Sequence, residues 1–121
     1  PISCAPAVAT LRLLQDGLIE NAERVGSHLI GRLRELQSKH RLIGDVRGLG
    51  LMVGIEIVSD RDRRTPAPRQ RHAVIVKAFE RGLLTLPCGA STIRLSPPLI
   101  AREADADKAV AILDAALAAT E

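Results

Sequence analysis

Apolar residues recur at helical spacing through the first forty residues and predict two helices. The first helix is short, and Ser3 can serve as its N-cap. The Asp16-Gly17 pair interrupts the pattern, and Asp16 can cap a second, longer helix that extends to about Gln37. Polar residues occupy the other faces of this second helix, which is typical of a helix packed on one side. Its apolar stripe consists of Ala22, Val25, Leu29, Leu33 and Leu36.

The middle of the chain changes to apolar runs that are rich in β-branched residues and separated by glycines. This pattern predicts a short strand over residues 43–47, a turn, and a longer strand over residues 51–58. Glu56 stands between two isoleucines, which indicates a strand with one buried and one exposed face. Residues 59–68 combine arginine, aspartate and proline, and they predict an internal linker loop.

The last third of the chain predicts a helix, two paired strands and a final helix. The first helix covers residues 69–81, with Gly82 as its C-terminal glycine. Short apolar runs at residues 83–86 and 93–95 flank a turn-rich segment, which indicates two strands joined by a loop. The final helix covers residues 102–119 and has acidic residues in its first turns, where the helix dipole favours them.

The predicted order is therefore α-α-β-β-α-β-β-α, and the fold class is α+β. The length of 121 residues is that of one domain, residues 1–121. Hydrophobic residues make up 46% of the chain, which argues against a disordered chain, but aromatic residues make up only 1%. The core must therefore be aliphatic, and a chain this small can rely on a partner surface for part of its burial. Because the chain begins at Pro1 and its one methionine is Met52, a piece of a longer protein is expected.

Several classes of function are disfavoured by the composition. Cys4 and Cys88 do not form a disulfide framework, and no run resembles a signal peptide or membrane span, so a cytoplasmic protein is expected. The histidines and cysteines lack the close pairing of a metal site. The mild net charge of +3 and the lack of aromatic stacking residues argue against a nucleic-acid partner. Glycines 48, 50 and 54 lead into a strand instead of a helix, which favours a tight turn over a nucleotide-binding loop.

Arg94 is the one residue whose position suggests binding chemistry. It lies between Ile93 and Leu95 in a predicted strand, so its side chain points away from the face that its neighbours use. The planar guanidinium can bind a carboxylate through two parallel hydrogen bonds. An ordinary exposed strand arginine is the alternative that spacing alone leaves open.

Four segments in order resemble the C-terminal part of the class III aminotransferases. Residues 1–11, 43–56, 81–84 and 93–99 read PISCAPAVATL, IGDVRGLGLMVGIE, RGLL and IRLSPPL. This pyridoxal-phosphate-dependent family includes the 4-aminobutyrate, ornithine and acetylornithine aminotransferases. The resemblance implies the small C-terminal domain of the aspartate aminotransferase-like fold, which closes over a large cofactor-binding domain of the same protein. It also implies a homodimer.

The resemblance implies that Arg94 is a clamp for the carboxylate of the substrate. The lysine that holds pyridoxal 5'-phosphate in the family lies before the segment matching Pro1, and Lys39, Lys77 and Lys108 fall in no family motif. No catalytic, cofactor-binding or metal residue is therefore expected in this chain, which should be inactive alone.

The function implied for the parent protein is transfer of an amino group from an amino acid, such as 4-aminobutyrate, to a keto acid, such as 2-oxoglutarate. A racemase or epimerase of the same family is an alternative, because these enzymes share the domain. A free-standing interaction domain is a third reading, which would require a chain without a large exposed apolar face.

Overall fold

Helices and strands account for most of residues 2–121, the part of the chain that the computed structural model describes. The helices are α1 (Cys4–Leu13), α2 (Ile19–Lys39), α3 (Pro68–Glu80) and α4 (Glu103–Ala118). The strands are β1 (Ile43–Leu49), β2 (Met52–Asp60), β3 (Thr65–Pro66), β4 (Leu86–Cys88) and β5 (Thr92–Leu95). The predicted α+β order is confirmed, with the short β3 as an addition.

The strands form one antiparallel sheet in which β2 is central. Its neighbours are β1 on one side and β5 on the other, and β4 follows β5 at the edge. One face of the sheet is apolar and packs against the helices, as the alternation along each strand requires. The residues of that face include Val46, Val53, Ile55, Ile57, Ile93 and Leu95, all buried.

The helical layer uses the stripes that the spacing predicts. On α2 the residues Val25, Leu29, Leu33 and Leu36 are buried, and Ala22 is partly buried. Helix α4 contributes Val110, Leu113 and Leu117, which are also buried. No helix among residues 2–121 is long and apolar enough to span a membrane.

The break before α2 is present, but the predicted caps are not. Gly17 has a φ of +94°, a left-handed conformation that suits glycine, and Asp16 is also non-helical. Leu18 is the N-cap of α2, and no side chain caps the helix there. Ser3 is at the N-cap position of α1, also without a side-chain hydrogen bond. The capping interactions predicted for Asp16 and Ser3 are therefore wrong.

The strand predicted over residues 83–86 begins later, at Leu86. Helix α3 ends in a Schellman motif, in which the N–H of Gly82 bonds to Phe79 O and the N–H of Leu83 bonds to Ala78 O. This motif keeps residues 81–83 out of the sheet. Strand β4 then includes Pro87, which is tolerated because β4 lies at the edge of the sheet.

Within residues 59–68, predicted to be a linker loop, residues 59–66 form a tight hairpin and Pro68 begins α3. Strand β2 continues to Asp60, and β3 pairs back onto it. The Asp60 side chain holds the turn, because its Oδ1 accepts the backbone N–H groups of Asp62 and Arg63. The Arg61 guanidinium donates to backbone carbonyls at the end of α2, including His40 O at 2.6 Å. These local contacts, which composition does not reveal, fold the segment onto the domain.

The turn between β1 and β2 packs directly on the backbone of α2. Gly50 has a φ of +53°, and its backbone lies against Gly26. A Cβ atom built on Gly26 would fall 2.8 Å from Gly50 Cα and closer still to Gly50 O. The two glycines therefore allow a helix and a turn to approach backbone to backbone, as the glycine pattern predicts.

Replacing Gly26 with Ala is expected to lower the free energy of unfolding by about 1–3 kcal/mol, because the turn must move away from α2. Gly31→Ala is the matched control, since Gly31 is in the same helix and a Cβ atom there would meet nothing from the rest of the fold within 4 Å. That control is expected to gain roughly 0.5–1 kcal/mol from helix propensity. Urea unfolding of both variants measures the difference, and equal stabilities would contradict the close approach.

Two aspartates of α4 attach this helix to α2. Asp107 Oδ1 lies 2.9 Å from His28 Nε2 and 3.2 Å from Arg32 Nε. Asp114 lies 2.6 Å from Lys39 Nζ and 2.5 Å from Nε2 of the buried His40. The hydrogen bond from Lys39, and then that from His40, lowers the pKa of Asp114 below its ordinary value.

A carboxyl group whose pKa is lowered by folding stabilises the native state above its unfolded pKa of about 3.9, and this contribution is lost as the pH falls through the folded pKa. Asp114→Asn is therefore expected to reduce stability at neutral pH, and the difference from wild type is expected to shrink in acid. Urea unfolding across pH values measures this dependence. Asp62→Asn is the control, because Asp62 forms no ion pair with residues 2–121. A difference that is constant with pH would contradict the role of the charge.

Candidate functional site

Arg94 lies on the exposed face of the sheet, as the alternation predicts. Its neighbours Ile93 and Leu95 are 0% and 6% exposed, whereas Arg94 is exposed. Strand β5 holds Arg94 between β2 and β4, where it pairs with Gly54 and with Leu86. The guanidinium is thus carried by a strand that is hydrogen-bonded on both sides.

A second arginine stands across the same glycine. Arg47 of β1 pairs with Gly54 from the opposite side, so β2 separates the two arginines. Gly54 places no side chain between them, and a Cβ there would lie 3.2 Å from Thr92 Cγ2. The exposed face of the sheet therefore has no side chain at Gly54 and an arginine on either side of it.

Two carboxylates contact the Arg47 guanidinium. Its NH2 group lies 2.7 Å from Glu56 Oε2, and its NH1 group donates to Asp45 Oδ2 at 2.9 Å. The hydrogen bond to Glu56, and then that to Asp45, raises the pKa of Arg47 above its ordinary value. Glu56 also accepts hydrogen bonds from Ser91 Oγ at 3.2 Å and Thr92 Oγ1 at 3.4 Å.

Arg94 differs from Arg47 in having no such partner. Within residues 2–121, no ion pair or side-chain hydrogen bond involves the Arg94 guanidinium. Its neighbour on β4 is Leu86, an apolar side chain that is half exposed. Arg94 is therefore an uncompensated cation that can receive an anionic group from outside the chain.

The lysines lie elsewhere in the fold. Lys39 pairs with Asp114, Lys77 donates to the carbonyl of Ala119, and Lys108 is exposed on α4. All three belong to the helical layer, whereas Arg94 is on the exposed face of the sheet. No cluster of histidine, cysteine, aspartate or glutamate among residues 2–121 is arranged to hold a metal ion.

An apolar cleft of about 540 Å³ lies near the chain that follows Arg94. It is bordered by Leu18 and Ile19 near the start of α2, by Met52 after the β1–β2 turn, and by Pro97. Spacing along the sequence does not predict this cleft, because its walls come from three distant segments.

The Arg47 cluster is also a feature that sequence reasoning missed. Asp45, Arg47 and Glu56 alternate correctly for one face, so the signal is present in the sequence. The cluster can be predicted only once the turn is placed at Gly50, because that register brings Arg47 beside Gly54 and diagonal to Glu56.

A family model described as aminotransferase class-III matches residues 1–117, and the chain belongs to this family. The resemblance carried by the four sequence segments is confirmed. The α+β fold with a small antiparallel sheet is shared with part of solved transaminases, one of them determined in a PLP-bound form.

Two curated relatives illustrate the range of the family. A 5-aminovalerate aminotransferase of Pseudomonas aeruginosa is 42% identical over 116 residues, covering 93% of this chain and 27% of the relative. An alanine/serine racemase of Pyrococcus horikoshii is 39% identical over 120 residues, covering 97% of this chain and 25% of the relative.

Solved structures agree with these matches. An amine transaminase from an uncultivated Pseudomonas species, in its PLP-bound form, superposes with a TM-score of 0.90 at 35% identity. That match covers 98% of this chain and 27% of the transaminase. The chain thus spans about a quarter of the length of the relatives that it matches.

Proposed function

We propose that this chain is the part of a pyridoxal-phosphate-dependent aminotransferase that binds the carboxylate of the substrate. The parent would transfer an amino group from an amino acid, such as 4-aminobutyrate or a similar ω-amino acid, to a keto acid such as 2-oxoglutarate. The observation that carries the proposal is the unpaired Arg94 guanidinium on the exposed face of β5, without a partner among residues 2–121.

The chemistry of Arg94 suits this role. A planar guanidinium binds a carboxylate through two charge-assisted hydrogen bonds, and a strand limits the directions in which it can point. The apolar Leu86 and the bare Gly54 on either side offer no competing charge. Once the rest of the protein excludes water, the interaction gains strength because the local dielectric constant falls.

The residues of this chain do not fit a role in holding pyridoxal 5'-phosphate. A lysine must bond to that cofactor, and the three lysines lie on helices in the layer away from Arg94. We therefore assign the cofactor to a large domain of the same protein and expect this chain to be inactive alone. The short span of the chain relative to its relatives supports the assignment.

Exposed apolar surface also supports a larger parent. Helix α1 has no buried residue, and Val8, Leu11 and Leu13 are each about half exposed or more. A free-standing interaction domain would not be expected to carry such a helix in water. The rest of the parent, which we expect to be a homodimer, would cover it.

In the full-length parent, Arg94→Ala is expected to lower kcat/KM for amino-acid substrates. The expected loss of transition-state stabilisation is about 2–5 kcal/mol. The loss follows from leaving the substrate carboxylate without its cation. Arg63→Ala is the control, because Arg63 is an exposed arginine of the β2–β3 turn. Steady-state kinetics on both variants make the comparison, and an unchanged kcat/KM in Arg94→Ala would refute the carboxylate-binding role.

A racemase is the second candidate, favoured by the similarity to the alanine/serine racemase. Incubating the full-length parent with L-alanine separates the two activities. An aminotransferase is expected to form glutamate only when 2-oxoglutarate is present. Accumulation of D-alanine without any keto acid would instead favour the racemase.

A further inference from the structure

Glu56 stands at equivalent positions relative to two arginines on the exposed sheet face. Arg47 and Arg94 both pair with Gly54, one from each side of β2, and Glu56 lies two residues along β2 on the same face. Each arginine is therefore a diagonal neighbour of Glu56. Diagonal positions in an antiparallel sheet are within reach of long side chains.

The structure pairs Glu56 with Arg47 and leaves Arg94 without a partner among residues 2–121. Arg47 is 2.7 Å from Glu56, and Asp45 holds the other side of the same guanidinium. On the β5 side, the hydrogen bonds of Glu56 within residues 2–121 come from hydroxyl groups, those of the fully buried Ser91 and of Thr92. The charge of Glu56 is thus satisfied by β1, although β5 carries an arginine at the corresponding position.

We propose that Arg47 is a positioning residue that keeps Glu56 away from Arg94. The inference rests on the proposed function, since it assumes that Arg94 receives the substrate carboxylate. With Arg47 present, Glu56 has a cation of its own and does not compete with the substrate. Without Arg47, the Glu56 carboxylate neutralises Arg94 and becomes an internal competitor for the same guanidinium.

The surroundings of Glu56 show which other cation could form an ion pair with its carboxylate. Asp45, Arg47 and Arg64 border a small cavity with Glu56, and Arg64 forms no ion pair with residues 2–121. Arg64 comes from the β2–β3 turn, which follows Glu56 along the chain, whereas Arg94 pairs with Gly54, which precedes Glu56 in β2. Because Arg64 shares this cavity with Glu56, a Glu56 released from Arg47 could pair with Arg64 instead of Arg94, and the experiment must distinguish the two.

The test uses the full-length parent with its cofactor and compares substrates with and without a carboxylate. The carboxylate substrates are 5-aminovalerate, 4-aminobutyrate and L-alanine, and the matched amine is 1-aminopentane, which has a methyl group in place of the 5-aminovalerate carboxylate. Arg47→Ala and Arg47→Gln are each expected to raise KM for the carboxylate substrates roughly fivefold, the effect of one partly exposed ion pair. The KM for 1-aminopentane should not change.

Rescue distinguishes competition from a loss of structure. The double variants Arg47→Ala/Glu56→Gln and Arg47→Gln/Glu56→Gln are expected to recover the wild-type KM, because the glutamine has no charge to offer Arg94. Glu56→Gln alone should leave KM unchanged. A crystal structure of Arg47→Gln should contain an ion pair between Glu56 and Arg94.

Different outcomes overturn different claims. If Arg94→Ala leaves kcat/KM unchanged for every carboxylate substrate, or if none of them is turned over, the proposed function fails. If Arg94→Ala impairs them but the Arg47 variants do not, only the role of Arg47 fails. A rise in KM that Glu56→Gln does not relieve, an equal rise for 1-aminopentane, or a Glu56 that turns to Arg64 would overturn it as well.

Discussion

The pairing of β2 with a strand on each side determines what this chain presents to the outside. The registers of β1 and β5 against β2 place Arg47, Gly54 and Arg94 in one row across the sheet. A slip of one residue in β5 would turn Arg94 into the core and expose Ile93, which is fully buried. The apolar inner face therefore fixes the position of the polar outer face, and packing energy holds the candidate site in place.

The helical layer supports this register from behind. The backbone contact between Gly26 and Gly50 positions the β1–β2 turn on α2, while Asp107 and Asp114 attach α4 to the same helix. None of these contacts touches the exposed face. They restrict where β1 can lie, and β1 carries Arg47, which forms an ion pair with Glu56. Stability and the charge arrangement of the site are linked through this one hairpin.

The sequence was sufficient to predict the orientation of Arg94, because a period of two in a short strand depends on local residues alone. It was also sufficient for the burial of the α2 stripe and for the close approach at Gly50. The start of β4 and the hairpin over residues 59–66 were not predictable in this way. They depend on the Schellman motif after α3 and on the hydrogen bonds of Asp60 and Arg61, which form only in the folded domain.

The charge state of the exposed face is the property that connects fold to function. Arg47 has its carboxylates within the chain, and Arg94 has none among residues 2–121. The central claim is that Arg94 is reserved for a carboxylate from the substrate. The most direct measurement is a crystal structure of the full-length protein with a bound carboxylate substrate or analogue. The Arg94 guanidinium should lie within about 3 Å of the ligand carboxylate, with Glu56 still on Arg47. A ligand carboxylate held by other residues, or an Arg94 paired with Glu56, would contradict the claim.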